Sequence, residues 1–300
     1  PQARRIAFER RDAAMMKKIA EIMTAHSGHW VGDGFPVRTL FSYQNKAAEI
    51  SPFLLFDYAG PHVFSPSMTP RGVGQHPHRG FETVTIVYDG EVSHRDSAGG
   101  GGTIGAGDVQ WMTAGGGIIH EEFHSKGFTK SGGPFRLAQL WVNLPAANKM
   151  TSPGYQPIAN AEIPVVQTDG WRVRVIAGEF RATKGPARTF TSVNLWDARL
   201  DRAAELRLDL PEGHTSMVAV LGGRVLVNGE PAGEAEVVRF GRSGTGALVR
   251  AESDAHFLVL TGEPLDEPVA GHGPFVMNSE AEIRKAIDDF NSGRFGGVAV

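Results

Sequence analysis

The 300-residue chain has no cysteine. Disulfides, thiolate zinc sites, iron–sulfur clusters and a cysteine nucleophile are thereby excluded, so any metal must be held by imidazole or carboxylate. Long apolar runs are missing too: no stretch approaches the ~18 uninterrupted residues that a membrane-spanning helix needs. Nor does one sign of charge dominate. Against 33 acidic residues stand 30 basic ones, a net charge of −3 without the basic footprint of a nucleic-acid binder. No secretory signal is visible, so the cytoplasm is the expected compartment.

Glycine, by contrast, is abundant: 38 residues, nearly double the usual ~7%, with no Gly-X-Y period. That excess predicts many tight turns between short strands. From about residue 37, runs such as Val37–Tyr43, Phe53–Asp57, Glu82–Tyr88, Val92–Arg95, Val109–Met112 and Leu137–Leu144 alternate with Gly, Pro and Asp clusters. Turn signals roughly every ten residues predict an antiparallel sandwich or barrel. The pattern pauses over the proline-rich stretch Pro145–Pro164 and then returns in Trp171–Ala177, Ser216–Val220 and His256–Thr261. Thr83–Tyr88, a turn at Asp89-Gly90, and Glu91–His94 parallel Met217–Leu221, Gly222-Gly223 and Arg224–Val227. We read this as a duplicated β unit.

The expected fold class is therefore all-β, with two antiparallel β-barrels and a helix at each end. Met15, Met16, Ile19, Ile22 and Met23 recur at helical spacing, predicting an N-terminal helix over residues 12–25. Ser279 and Glu282 form a capping-box signature before Ile283, Ala286, Ile287 and Phe290, and Gly293 supplies a stop. The expected organisation is an extension over 1–36, a first domain over 37–150, a linker over 151–164, a second domain over 165–278, and a helix with tail over 279–300.

Six of the 11 histidines lie between His62 and His124. His76 and His78 are alternate residues of a predicted strand and so share a face, with Glu82 at the same parity. His120 and Glu122 repeat the pattern after three consecutive glycines, Gly115–Gly117. Two such groups on two strands would surround one ion with three nitrogens and one oxygen, leaving positions open for water or substrate. Iron, manganese, nickel, copper and zinc as divalent ions all suit these donors. His62, His94 and His124 are expected to be supporting or surface residues. No role is assigned to His26, His29 or His272.

The stretch His76-Pro77-His78-Arg79-Gly80-Phe81-Glu82-Thr83 resembles the signature of the pirin family in the cupin superfamily. So do His94-Arg95-Asp96-Ser97, Gly107–Gly115 and Gly117-Ile118-Ile119-His120-Glu121-Glu122, and near the end Gly273–Asn278 with Gly293–Gly296. The resemblance runs from about residue 37 to 296. It implies a bicupin, two barrels of jelly-roll type, with metal in the N-terminal one only. It places the ligands on His76, His78, His120 and Glu122, and Fe(II) is the metal expected there. Many other cupins take their carboxylate ligand from the place held here by Glu82, which the pirin pattern leaves as a supporting residue. The second domain, with His214 and His256 but no His-x-His, is expected to bind no metal. The resemblance further implies a dioxygenase of quercetin 2,3-dioxygenase type. O2 and a flavonol or related planar hydroxylated aromatic would be its substrates, and Glu122 would double as the base. Phe81 and Trp111 could stack on such a substrate, although a core role is the expectation for both. The alternative is a non-enzymatic, iron-dependent redox sensor or transcriptional co-regulator that acts through a protein partner without touching DNA. A metal-dependent enzyme acting on another small molecule is the third reading.

Overall fold

In the computed structural model, which describes residues 15–25 and 27–298, the short apolar runs form strands bounded by glycine turns. Gly80, Gly90 and Gly107 turn the chain at φ values of +91°, +88° and +91°, which a side chain resists. All paired strands are antiparallel. None of the helices among the described residues is long and apolar enough to cross a membrane.

The strands fall into two units, each made of two separated stretches of chain. One unit combines residues 25–162 with 265–298, and the other combines residues 15–24 with 163–264. Each holds a seven-stranded and a four-stranded sheet. In the first unit the four-stranded sheet runs Gly72–His78, Ile118–His124, Val92–Asp96, Gly101–Ile104. Its larger sheet runs Gly154–Ile158, Val109–Thr113, Phe81–Asp89, Gly133–Asn143, Phe53–Phe64, Phe35–Ser42, His29–Val31. Phe35, Val37, Val87, Phe135 and Leu137 from the larger sheet pack with Val92 and Ile104 from the smaller, so this core lies between the two sheets.

The second unit repeats the spatial order of both sheets, except that the edge strand matching Gly154–Ile158 is Ile19–Thr24, which precedes the unit's other strands in the chain. Its smaller sheet runs Glu205–Asp209, Gly246–Ala251, Arg224–Val227, Glu230–Gly233. The expected duplication is thus visible in the topology. The strands that correspond to Gly72–His78 and Ile118–His124 carry Leu206, Leu208, Ala247, Val249 and Ala251, all buried in an apolar core.

Three expectations are corrected. Residues 19–24 are a strand, not part of a helix, and pair with Glu236–Phe240 at the edge of the second unit's larger sheet. Residues 12–14 of the expected helix lie outside the described residues. A bulge between Ile19 and Glu21 inserts one residue, so Ile19 and Ile22 both reach the core despite a three-residue spacing. That spacing imitates a helix, and the open sheet edge decides the matter. The expected linker is also structured: Gly154–Ile158 pairs with Val109–Thr113, and Pro157 is tolerated because this strand is an edge. Finally, the chain returns to the first unit at residue 265, so the second unit ends before the expected 278.

The C-terminal helix, Glu280–Asn291, starts as expected at Ser279, whose side chain accepts from the Glu282 N–H. It places Asp289 against Arg79, the residue after His78, with Nη2 2.9 Å from Oδ2. Arg79 also donates to the Gly116 carbonyl at 2.7 Å and lies over the Phe295 ring. Burial would raise the Asp289 carboxyl, but hydrogen bonds from Arg79, Lys285 and Arg294 outweigh it and hold it down at about 2. A folded value below the unfolded one stabilises the protein above the unfolded value, roughly pH 4, and the contribution is lost as pH falls towards 2. Asp289→Asn should therefore lower the urea midpoint at neutral pH, with the gap to wild type closing between pH 4 and 2. An equal gap at both ends of that range would contradict this role.

Candidate metal centre

The smaller sheet of the first unit carries the histidines on its inner face. His76 stands directly opposite His120 in the register, and His94 opposite Glu122. Between these two positions the Gly72–His78 strand holds one extra residue, because Glu122 pairs with Val73. Ring centroids are 5.0 Å apart for His76 and His78, 4.2 Å for His76 and His120, and 4.9 Å for His78 and His120. Potential ligand atoms of these three lie within 4.8 Å of one another, as do those of His94, His120 and Glu122. His120 belongs to both groups.

The state of the rings suits a cation. Burial, followed by the neighbouring His76, pushes His78 down to about 3. Burial and then His78, His76 and His94 push His120 well below its ordinary value. Both are neutral, each with one bare nitrogen. The His76 Nδ1 lies 2.8 Å from the Gly74 carbonyl and the His78 Nδ1 3.4 Å from that of Pro274. A carbonyl only accepts, so each Nδ1 carries a proton; in neutral His78 the Nε2 then keeps a lone pair, as a metal-binding histidine requires. The His120 Nε2 is buried without a hydrogen-bond partner. Neutral His78 and His120, converging with His76 and leaving the His120 Nε2 unpartnered, fit a divalent metal.

Glu122 is buried, and its two oxygens accept from the side-chain amides of Gln110 and Gln139 in the facing sheet. Beside it lies a cavity of about 40 Å³, lined by His76, Glu122, Gln139 and Asp57 among apolar residues that include Val31 and Leu137. Burial raises the Asp57 carboxyl, which accepts from the Thr39 hydroxyl at 2.6 Å. Gln110, Gln139 and Asp57 escaped the sequence reading, because an amide or acid inside a strand has no distinctive local signal.

Glu82 does not join the cluster. The chain turns at Gly80 between His78 and Phe81 and enters the other sheet, so parity no longer carries across. Thr85 accepts from Gln110 and Gln139 on the site side, and Glu82, three residues away, faces the opposite side of the sheet. There Glu82 accepts from Thr113 at 2.8 Å, and burial raises it to about 7. Trp111 likewise faces away, since its neighbour Gln110 points inwards. Phe81 stacks on Trp141 at 4.3 Å, in keeping with a core role. His62 packs with Trp30 and Phe64, and His124 with Phe64, Phe128 and Phe135. Neither reaches the cluster. His94 does: it is fully buried, with its Nδ1 3.3 Å from the Nδ1 of His120.

Two units of matching strand order, one with converging histidines between its sheets, define a two-domain protein of the cupin type. Residues 34–142 match the family described as Pirin, and residues 195–296 match the Pirin C-terminal cupin domain. The chain belongs to the pirin family. It is 54% identical over 282 residues to a Pseudomonas aeruginosa protein provisionally named a quercetin 2,3-dioxygenase, covering 93% of this chain and 99% of that one. Human pirin is 39% identical over 254 residues, covering 82% of this chain and 83% of its own. A crystal structure of quercetin 2,3-dioxygenase from Acinetobacter baumannii superposes with a TM-score of 0.92 at 53% identity, covering 95% of this chain and 100% of that one.

The glycines before His120 have a testable role. A Cβ on Gly117, whose φ is +134°, would meet the Phe295 ring at 2.5 Å, whereas one on Gly116 meets nothing closer than 3.4 Å. Gly117→Ala should cost about 2 kcal/mol in urea unfolding. Gly116→Ala should cost less than about 0.5 kcal/mol.

Proposed function

We propose that the chain is a metal-dependent dioxygenase of quercetin 2,3-dioxygenase type, acting on a flavonol or a related planar hydroxylated aromatic. His76, His78, His120 and Glu122 are its metal ligands in this reading. Fe(II) is the expected metal, with Mn, Ni, Cu or Zn as possible occupants of the same donors. The observation that carries the proposal is the convergence of His76, His78 and His120, with Glu122 grouped to them through His120 and bordering the same cavity as His76. Relatives over half identical in sequence and named for this activity support the choice of reaction.

A bound divalent metal supplies Lewis acidity towards a substrate hydroxyl. The chain's own residues do the rest. Gln110 and Gln139 hold the Glu122 carboxylate in place, and that carboxylate takes the hydroxyl proton at one of its oxygens. Val31, Val37, Val73 and Leu137 keep water from the reacting atoms. The two sheets would close around them as a barrel of jelly-roll type.

One observation favours a second reading, an iron-dependent redox sensor working through a protein partner. The cavity of about 40 Å³ holds roughly three water-sized molecules, far below the ~300 Å³ of a drug-sized ligand pocket. Catalysis on a flavonol requires this space to widen, and Val31, on the outermost strand of the larger sheet, is the wall best placed to move.

Metal analysis and quercetin turnover on one reconstituted sample separate these readings. The dioxygenase should bind close to one metal per chain and bleach the flavonol absorbance in oxygen. His76→Ala should abolish both, and Glu122→Gln should slow turnover by roughly 100-fold. Metal binding without turnover above the His76→Ala control would leave the sensor. Less than about one-tenth equivalent of metal would remove both readings.

A further inference from the structure

His94 and Asp96 are alternate residues of the strand Val92–Asp96, and both side chains are fully buried. The His94 Nε2 lies 3.0 Å from the Asp96 Oδ2. The other Asp96 oxygen accepts the N–H groups of Ala98 and Gly100 at 2.8 and 2.9 Å. On its far side His94 meets His120, Nδ1 to Nδ1, at 3.3 Å. Tyr155 covers the His94 ring in a parallel stack, with centroids 4.9 Å apart.

These contacts allow one arrangement of protons for a neutral pair of rings. The Asp96 carboxylate only accepts, so the His94 Nε2 carries a hydrogen. With one proton on each ring, the His94 Nδ1 is bare and can only accept. Among the described residues the donor facing it is the His120 Nδ1–H. With its proton committed there, His120 has a bare Nε2, the atom left without a partner beside His76 and His78. We infer that Asp96 and His94 are positioning residues that lock His120 in the tautomer able to bind metal through Nε2. The inference rests on the metal-centre reading for its purpose, but the tautomer itself does not. Tyr155 links the device to Glu122: its hydroxyl donates to the Gln110 carbonyl at 3.1 Å, and the Gln110 amide donates to Glu122. One tyrosine thus steadies the supports of two proposed ligands.

The direct test is nitrogen NMR on the metal-free protein with labelled histidine. His120 should carry its proton on Nδ1. A free neutral imidazole favours Nε2, so finding the Nε2–H form in wild type would overturn the inference without any variant. His94→Phe keeps a ring under Tyr155 but cannot accept, and His120 should relax to the Nε2–H form. Co(II) affinity, measured by competition with a chelator, should then fall 10- to 100-fold, a typical range for lost outer support of a ligand. His94→Gln, whose amide oxygen can accept at the same place, should recover part of it. Thermal midpoints of the metal-free variants separate this effect from general damage. If His120 is Nδ1-protonated and wild type still binds no metal, the metal-centre reading fails while the tautomer lock stands. If wild type and His94→Phe bind Co(II) equally, the lock has no role in binding.

Discussion

The antiparallel register between Gly72–His78 and Ile118–His124 is the constraint on which the candidate site depends. It sets His76 opposite His120, and the single extra residue beyond that pair brings Glu122 opposite Val73. A slip of one residue would turn every one of these side chains to the other face of the sheet. The extra residue lies in the Gly74-Gln75 region, and the Gly74 carbonyl is the group that fixes the His76 ring. The irregularity that shifts the register therefore also supplies a ring partner. Burying several imidazoles together is tolerable only while they stay neutral, and a buried ring that carries its proton on Nδ1 then needs an acceptor there.

One of those partners comes from far along the chain. The Pro274 carbonyl lies against His78, and the same C-terminal segment brings Asp289 to Arg79 and Phe295 over Gly117. Residues 265–298 thus act on the histidine motif from behind, at the Arg79–Gly80 turn and at the glycines before His120. Lys149 ties this arrangement further, since its buried ammonium donates to Gly80, Asn143 and Val276. Its three N–H groups have three acceptors. The site belongs to the first unit, but its geometry depends on a segment that follows the second.

Much of this was legible from residue order. Strand runs such as Val109–Met112 and Val92–Arg95 fell within a residue of their observed ends, and alternation placed His76 with His78 and His120 with Glu122 on common faces. The failures share a cause: periodicity is local, and a bulge or turn resets it. At Gly80 the turn cancels the parity that seemed to join Glu82 to the histidines. At Ile19 a bulge gives a strand the three-residue spacing of a helix. Tyr155 and Pro274 could not be found by any local pattern, because their roles exist only once distant strands pair. His94 was within reach, since His94 and Asp96 alternate on one strand as clearly as the proposed ligands do.

The second unit shows what separates a scaffold from a site. Its strands repeat the order of the first, so the backbone would present residues at equivalent positions to an equivalent interior. Those positions carry Leu206, Leu208, Ala247 and Val249, which fill the space between the sheets with apolar contacts. An imidazole cluster there would need carbonyls or carboxylates reaching in to hold each Nδ1, in addition to the ligands themselves. The first unit meets that need with the Gly74 irregularity, the strand pair His94 and Asp96, and the returning C-terminal segment. Replacing two leucines by histidines in the second unit would therefore bury polar nitrogens without partners, not create a second centre.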